Sequence, residues 1–288
     1  MLKFGVGGNP DDFYNSGYKK SEDMPKYLSD FKLDSYEYEC SRGVRIKEEK
    51  AKILGIEAKK YDILLSVHAP YYISLSTTDK EKQDKSIQYI LDTMRIAKVM
   101  GAKRIVVHAG SSLNLQREEA LKNNCKLLKR AINEARKLNL DDVRICPETM
   151  GKVNQLGNSE EIIQMCKVDD NFIPTIDFGH LYCRNLGKLK TKEDWKKELK
   201  LYIDKLGFDR VKCFHSHFSK MMYTKMGEKC HITFEKAKEE ILSGPNEIEV
   251  LKAIIELGLE PNIILESAGT QSIDAKIMKD KYLELLQI

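Results

Sequence analysis

The stretches Ile63-Leu-Leu-Ser-Val-His68 and Arg104-Ile-Val-Val-His108 are two short apolar runs, each followed at once by a histidine. Between them, residues 79–100 repeat apolar side chains at helical spacing, and Gly101 stands where such a helix would end. A short strand, an amphipathic helix and a second short strand form a parallel β-α-β unit. The same pattern recurs along the chain, so this unit indicates the fold of the whole.

The whole chain predicts eight such strands, separated by helical stretches. The predicted strands cover residues 3–6, 35–38, 63–67, 104–107, 143–146, 173–176, 211–214 and 262–265. The predicted helices cover residues 47–60, 79–100, 115–138, 159–166, 192–206 and 247–257. Eight β-α units in a chain of 288 residues predict an α/β protein, a (β/α)8 TIM barrel that forms one domain over residues 1–288.

An open, doubly wound sheet is the alternative arrangement of alternating strands and helices. Its usual mark is a GxGxxG loop after the first strand. Gly5-Val-Gly7-Gly8 does not have that spacing, and the sequence contains no GxxxxGK[ST] motif. The closed barrel is therefore favoured.

Composition narrows the class of protein further. The 48 basic and 44 acidic residues give a net charge of +4, so general binding to polyanions is not expected. The first residues lack the pattern of a secretory signal, and the sequence has no long apolar run. The seven cysteines contain no CxxC pair, which is typical of free thiols in a reducing cytosol. We therefore expect a cytoplasmic protein without a membrane partner. The sequence does not fix its oligomeric state, and a monomer is the simplest expectation.

A histidine or a carboxylate follows each of the predicted strands three to eight. These residues are His68, His108, Glu148, Asp177, His215 and Glu266. In a TIM barrel these strand ends meet on one face, so we expect a metal site there. Imidazole and carboxylate groups bind Zn²⁺, and they also suit Mn²⁺. Because six ligands exceed the needs of one ion and carboxylates can bridge, we expect at least two ions.

Three further histidines follow the same strands, and their position leaves open whether they bind another ion. His180, His217 and His231 could hold another ion on the same rim. A single histidine after a strand is commonly just a satisfied polar residue, but six strand ends in succession favour a site. Glu37 and Glu39 on the second strand could reach the site or could lie at a solvated edge. We expect residues 221–226 to form an ordered loop over the rim.

The chain resembles the endonuclease IV family of apurinic/apyrimidinic endonucleases, a branch of the xylose-isomerase-like barrels. The resemblance rests on six motifs in the family's order: His68-Ala-Pro-Tyr71, His108-Ala-Gly110, Glu148-Thr-Met-Gly151, Asp177-Phe-Gly-His180, His215-Ser-His217 and Glu266-Ser267. It implies a hydrolase with a trinuclear zinc site that incises DNA 5′ to abasic sites in base excision repair. By position, it implies that His68 and His108 bind the first ion, Glu148 bridges it to a second completed by Asp177, His215 and Glu266, and His180 and His231 bind a third.

The sequence departs from the family at the third ion. The family holds this ion with an Asp-x-His pair, whereas this chain has Lys229 two residues before His231. Glu228 or His217 could replace the missing acid, or the third ion could be absent. Together with the altered motifs at His108 and Glu148, this departure indicates a divergent branch.

The implied chemistry assigns further roles. Glu148 and Glu266 are the expected catalytic groups, one as the bridging ligand and the other orienting the attacking water. Arg42, Tyr71 and Tyr72 lie just past the second and third strands, where they could wedge or stack against an abasic nucleotide. Lys220, close after His217, could meet a phosphate.

Two other functions compete with DNA incision. A sugar isomerase or epimerase on the same barrel would use two metal-bound carboxylates and a histidine for proton or hydride shifts. Such an enzyme needs one or two ions, which would leave His180 and His231 without an obvious role. A non-catalytic metal or nucleic-acid binder on a retired barrel is the third class, and six intact strand-end groups disfavour it.

Overall fold

The computed structural model of this protein describes residues 1–112, 115–239 and 243–287. The strands in these residues are β1 (Lys3–Gly7), β2 (Ser35–Glu39), β3 (Leu64–His68), β4 (Arg104–His108), β5 (Arg144–Glu148), β6 (Thr175–Asp177), β7 (His215–Phe218), β8 (Lys220–Thr224), β9 (Gly227–Ile232) and β10 (Asn262–Leu265). Strands β1 to β7 and β10 are parallel and close into a barrel, in which β10 pairs with both β7 and β1. The predicted (β/α)8 TIM barrel is confirmed.

Helices connect the strands and surround the barrel. Within the described residues they are α1 (Asp11–Asn15), α2 (Met24–Asp30), α3 (Glu48–Lys60), α4 (Lys80–Met100), α5 (Arg117–Lys137), α6 (Ser159–Cys166), α7 (Phe178–Arg184), α8 (Lys192–Leu206), α9 (Phe208–Val211), α10 (Glu247–Glu256) and α11 (Gln271–Leu285). Helix α4 shows why they form where they do: the Asp79 side chain accepts from two backbone N–H groups at its start, and Gly101 ends it with φ of 79°. None of these described helices is both long and apolar enough to cross a lipid bilayer.

The main apolar core lies between the strands and the helices, whereas the inside of the barrel is largely polar. Ser35 on β2 donates a hydrogen bond to Asn262 on β10 across 2.6 Å, and these two strands are separated by β1. Ser66 donates to Glu37 across 2.7 Å. Apolar runs in the sequence therefore report mainly the outward faces of the strands, and the inward side chains follow from strand register.

The seventh strand lies four residues later than predicted. The prediction covered residues 211–214, but Val211 belongs to α9 and the strand begins at His215. The strand His-Ser-His-Phe is fully buried, and its inward imidazoles contact carboxylates instead of apolar side chains. Apolar periodicity could not identify it for that reason. The other seven predicted strands overlap the observed ones.

The segment after β7 is a β-hairpin, so the predicted loop over residues 221–226 is wrong. Strands β8 and β9 pair antiparallel, and the hairpin contacts α7. The hairpin carries Glu228 and His231 on β9 to the mouth of the barrel, where both line the same cavity as the strand-end residues.

Candidate metal centre

The carboxyl ends of the strands bring acids and histidines to one mouth of the barrel. His68, His108, Glu148 and Asp177 are the last residues of β3, β4, β5 and β6, and Glu266 directly follows β10. Register aligns neighbouring ends, since His108 lies opposite Glu148 in the β4–β5 pair. The mouth contains a cavity of about 350 Å³, lined by most of these side chains. The predicted location at the carboxyl ends of the strands thus has the geometry of a site.

Glu148 lies between two groups of donor atoms. Its Oε2 is 3.4 Å from Nε2 of His68 and 3.1 Å from Nε2 of His108. Its Oε1 is 3.0 Å from Nδ1 of His217. The two oxygens of this buried carboxylate therefore face different groups, which is the geometry that a bridging ligand requires.

His217, and not His215, joins the second group. Donor atoms of Glu148, Asp177, His217 and Glu266 all lie within 4.8 Å of one another. His215 lies two residues earlier on β7, level with Thr175 and Asn262, and its Nε2 is 2.9 Å from Oε2 of Glu37. The expectation that His215 is a ligand of the second ion therefore does not match the geometry. The physical reason is the later start of β7, which moves His215 down into the barrel.

His180, Glu228 and His231 form a third group, whose donor atoms also lie within 4.8 Å of one another. His180 Nε2 is 3.6 Å from Oε2 of Glu228. Of the two residues considered as replacements for the missing acid, Glu228 is the one that lies here, while His217 lies in the second group.

A β-bulge explains how Glu228 reaches this group. Residues three apart on a regular strand point to opposite faces. In the hairpin, Cys230 pairs with Met222 and Glu228 pairs with Tyr223, so Lys229 is the extra residue. One extra residue restores the alternation, and Glu228 and His231 point to the same face. Lys229 itself is exposed, so its position two residues before His231 does not place a cation in the site.

The charges in the site are strongly coupled. Burial opposes ionisation of Glu148, but His108 and His217 outweigh it and hold the pKa of Glu148 well below its usual range. Burial also opposes the charged form of His180, yet Asp177 and Glu148 raise its pKa to about 10. Burial, opposed by His217 and aided by two neighbouring carboxylates, raises the pKa of Glu266 to about 8. The carboxylates thus draw positive charge into the mouth of the barrel.

The residues fit bound metal ions. Among the described residues, the buried atoms without a hydrogen-bond partner include Glu148 Oε2, Asp177 Oδ2 and His231 Nδ1. Leaving a buried polar atom unpaired costs about 1–3 kcal/mol, and here the unpaired atoms belong to three donor groups of one cluster. Imidazole nitrogens and carboxylate oxygens form the donor set of Zn²⁺ and Mn²⁺ sites.

The residues expected to contact substrate are divided between two places. Tyr71 lines the cavity, and its ring centroid lies 5.3 Å from that of His68 and 5.0 Å from that of His108. Tyr72 packs beside Tyr89 on α4 instead, with centroids 6.5 Å apart. Arg42 is exposed and does not line the cavity.

Lys220 also lies away from the position expected of a phosphate ligand. Its amine is 2.7 Å from a carboxylate oxygen of Glu247 and donates to the Pro245 carbonyl across 2.6 Å. It lines a separate cavity, beside α11. The carboxylate of Glu247 holds this amine in place, so Lys220 is not free to reach the mouth of the barrel.

Sequence reasoning missed two residues near the centre. Lys152 lines the cavity. It lies four residues after Glu148, the last residue of β5, and this closeness in sequence to a strand-end residue was the signal available. Glu37 was left between two interpretations, and it lies fully buried inside the barrel against His215 and His217. Glu37 lies two residues after Ser35 on β2, so the two polar side chains share one face of the strand, and this spacing was the signal that Glu37 points inward.

Fold and site together define a TIM barrel with buried His, Asp and Glu clusters able to bind metal at its mouth. The chain belongs to the xylose isomerase-like TIM barrel family, whose sequence model matches residues 25–282. A protein of Methanocaldococcus jannaschii whose function is uncharacterized is 33% identical over 99% of this chain and 98% of its own. A probable endonuclease 4 of Staphylococcus carnosus is 31% identical over 58% of each chain.

Solved structures share the fold over nearly the full length. A D-tagatose 3-epimerase-like protein superposes with a TM-score of 0.71 at 20% identity, covering 99% of this chain and 98% of its own. Endonuclease IV from Thermus thermophilus superposes with a TM-score of 0.68 at 15% identity, covering 98% of this chain and 99% of its own. Identities this low show the common barrel and leave the reaction to the residues of the site.

Proposed function

We propose that this protein is a zinc-dependent phosphodiesterase that incises DNA on the 5′ side of abasic sites. The observation that carries the proposal is the third donor group, His180, Glu228 and His231, which lies beside the other two. A phosphodiester is anionic, and several cations in one pocket suit it better than a neutral sugar. The partial similarity to probable endonuclease 4 supports this class of substrate.

Each donor group would hold one ion. We assign His68, His108 and Glu148 to the first ion, Glu148, Asp177, His217 and Glu266 to the second, and His180, Glu228 and His231 to the third. When bound, zinc ions neutralise the phosphodiester charge and activate a water for attack. Glu148 contributes one oxygen to each of two groups. Glu266, at the edge of the cavity and 17% exposed, is placed to orient the attacking water and accept its proton.

Two side chains at the cavity wall suit a nucleotide substrate. The ring of Tyr71 is half exposed and offers a flat face for stacking against a base or sugar. Lys152 brings a cation to the same wall, where it can bind a phosphate oxygen. We propose that these two residues contact the substrate and that Lys220 does not.

Strand incision of a labelled duplex with one abasic analogue tests the proposal. We expect the zinc-loaded full chain to cut 5′ to the lesion and to leave an intact duplex uncut. Glu148→Ala should abolish cutting because it removes a ligand shared by two groups, and His231→Ala should reduce cutting at least 100-fold. Absence of cutting by protein shown to contain zinc would contradict the proposal.

Sugar epimerisation is a second candidate, favoured by the small size of the cavity. A volume of about 350 Å³ is near the lower end for ligand pockets and suits a single sugar. The second donor group alone, with Glu148, Asp177 and Glu266 as its carboxylates, could hold the ion that such chemistry needs. Turnover of a ketose by the same preparation, unaffected by His231→Ala, would favour this function over DNA incision.

A further inference from the structure

Glu37 is a fully buried carboxylate inside the barrel, beneath the metal centre. It projects from β2 across the interior to β7, where its Oε1 accepts a hydrogen bond from Nε2 of His217 at 2.7 Å. Its Oε2 accepts from Ser66 at 2.7 Å and lies 2.9 Å from Nε2 of His215. Since an ionised carboxylate can only accept hydrogen bonds, the proton of the closest contact resides on Nε2 of His217.

The other ring nitrogen of His217 faces the mouth of the barrel. Nδ1 lies 3.0 Å from Oε1 of Glu148, 3.4 Å from Oε1 of Glu266 and 4.0 Å from Oδ2 of Asp177. These are the three carboxylates of the second donor group. One nitrogen of the ring is therefore engaged below, and the second points at the place where that group would hold an ion.

We propose that Glu37 is the positioning residue of the metal centre, and that it makes His217 bind metal through Nδ1. By keeping the proton on Nε2, Glu37 leaves the lone pair on Nδ1 and fixes the plane of the ring. The inference rests on the proposed metal centre, and it is independent of the substrate that the centre acts on. It also accounts for why His217 and not His215 lies at the mouth. His215 is two residues earlier on β7, deeper in the barrel, where it contacts the other oxygen of Glu37.

The alternative is that Glu37, His215 and His217 hold an ion of their own. Oε1 of Glu37 already makes the 2.7 Å hydrogen bond with Nε2 of His217, and Oε2 accepts one from Ser66. Both carboxylate oxygens of Glu37 are thus engaged in hydrogen bonds, which favours this role over coordination of a separate ion.

Nitrogen NMR of the zinc-loaded full chain, labelled with ¹⁵N at histidine, tests this directly. We expect His217 to carry its proton on Nε2 and its metal on Nδ1, and we expect this signal to be missing from His217→Asn. A metal-bound Nε2 on His217 would overturn the proposal, and it would indicate an ion in the deeper group. This measurement needs no change at Glu37, so it holds even if Glu37 variants fold poorly.

Zinc affinity provides the second test. Glu37→Gln keeps the shape of the side chain and removes its charge, and we expect zinc to bind the second group 10–100-fold more weakly. Glu39→Gln is the matched control, since Glu39 lies two residues along β2 and accepts a hydrogen bond from Ser41 instead. We expect its zinc affinity to stay within twofold of the unmodified protein.

The outcomes separate this inference from the proposed function. Equal zinc affinities of the Glu37→Gln and Glu39→Gln proteins would overturn the role of Glu37 alone. An unmodified protein that binds zinc with the expected histidine signals but leaves abasic DNA intact would overturn the nuclease proposal alone. An unmodified protein that binds no zinc would overturn both.

Discussion

Gly151 is the residue against which the third donor group packs. A methyl group at this position would lie 2.7 Å from Cβ of Glu228 and 2.9 Å from Cδ2 of His180. Its carbonyl also accepts a hydrogen bond from the Glu228 backbone at 3.2 Å. The loop after β5 and strand β9 can approach this closely because residue 151 has no side chain.

Replacing Gly151 with alanine should displace Glu228 and His180 together. We expect the protein to retain two zinc ions and lose the third, at a cost in folding free energy of about 1–3 kcal/mol from overpacking. Metal analysis after dialysis and urea unfolding would measure the two effects. Gly7→Ala is a suitable control, because a methyl group there meets neighbours at an ordinary 3.4 Å. Retention of all three ions by Gly151→Ala would contradict this account of the packing.

At the scale of elements, the β8–β9 hairpin builds the third donor group, and its bulge sets which side chains take part. The bulge at Lys229 turns a three-residue spacing into a shared face for Glu228 and His231. A regular strand would need the two ligands two residues apart. The departure from the Asp-x-His pattern is thus a change of strand geometry that leaves an acid beside the two histidines.

Deletion of Lys229 should convert β9 into a regular strand and keep the third group. The deletion places Glu228 two positions before His231, so both remain on one face without a bulge. We expect this variant to bind as much zinc as the unmodified protein, whereas Glu228→Ala should lose one ion. Equal losses in the two variants would show that the bulge itself, and not the shared face, is required.

At the scale of the whole molecule, Glu247 joins the hairpin strand β8 to the two helices α10 and α11. It lies at the start of α10, and its carboxylate contacts Lys220 on β8 at 2.7 Å and Lys281 on α11. Burial opposes its ionisation, but the two lysines outweigh burial and lower its pKa to about 2. The contact with Glu247 holds the Lys220 amine at this junction, away from the mouth of the barrel.

Glu247 should make the folded protein sensitive to acid. Because its pKa is lower in the folded state, its contribution is fully present above about pH 4.5 and is lost as the pH falls towards about 2. The size is on the order of 3 kcal/mol. Urea unfolding at pH 7 and pH 3 should show Glu247→Gln less stable than the unmodified protein at pH 7, with a smaller difference at pH 3. Glu235→Gln, a change at an exposed neighbour, is the control and should unfold like the unmodified protein at both pH values.

Much of this molecule follows from its sequence for local reasons. Seven of the eight barrel strands were predicted from short apolar runs, and α4 from its spacing and its terminal glycine. The seventh barrel strand, β7, was misplaced because its inward side chains are imidazoles, and the apolar run lies in the residues just before it. The predicted strand-end residues lie at one mouth because parallel strands in a barrel end together, with the exception of His215.

The alternation of strands and helices can be predicted from the sequence alone, and with it the barrel and the face that carries the acids and histidines. These features depend on periodicity and on the direction of parallel strands, which are properties of neighbouring residues. Three features of the site depend instead on the folded chain: His217 joins the second group, Glu37 contacts it from below, and Glu228 completes the third group. Each of those outcomes depends on register, on contact across the closed barrel or on a bulge, and these arise only when distant strands pair.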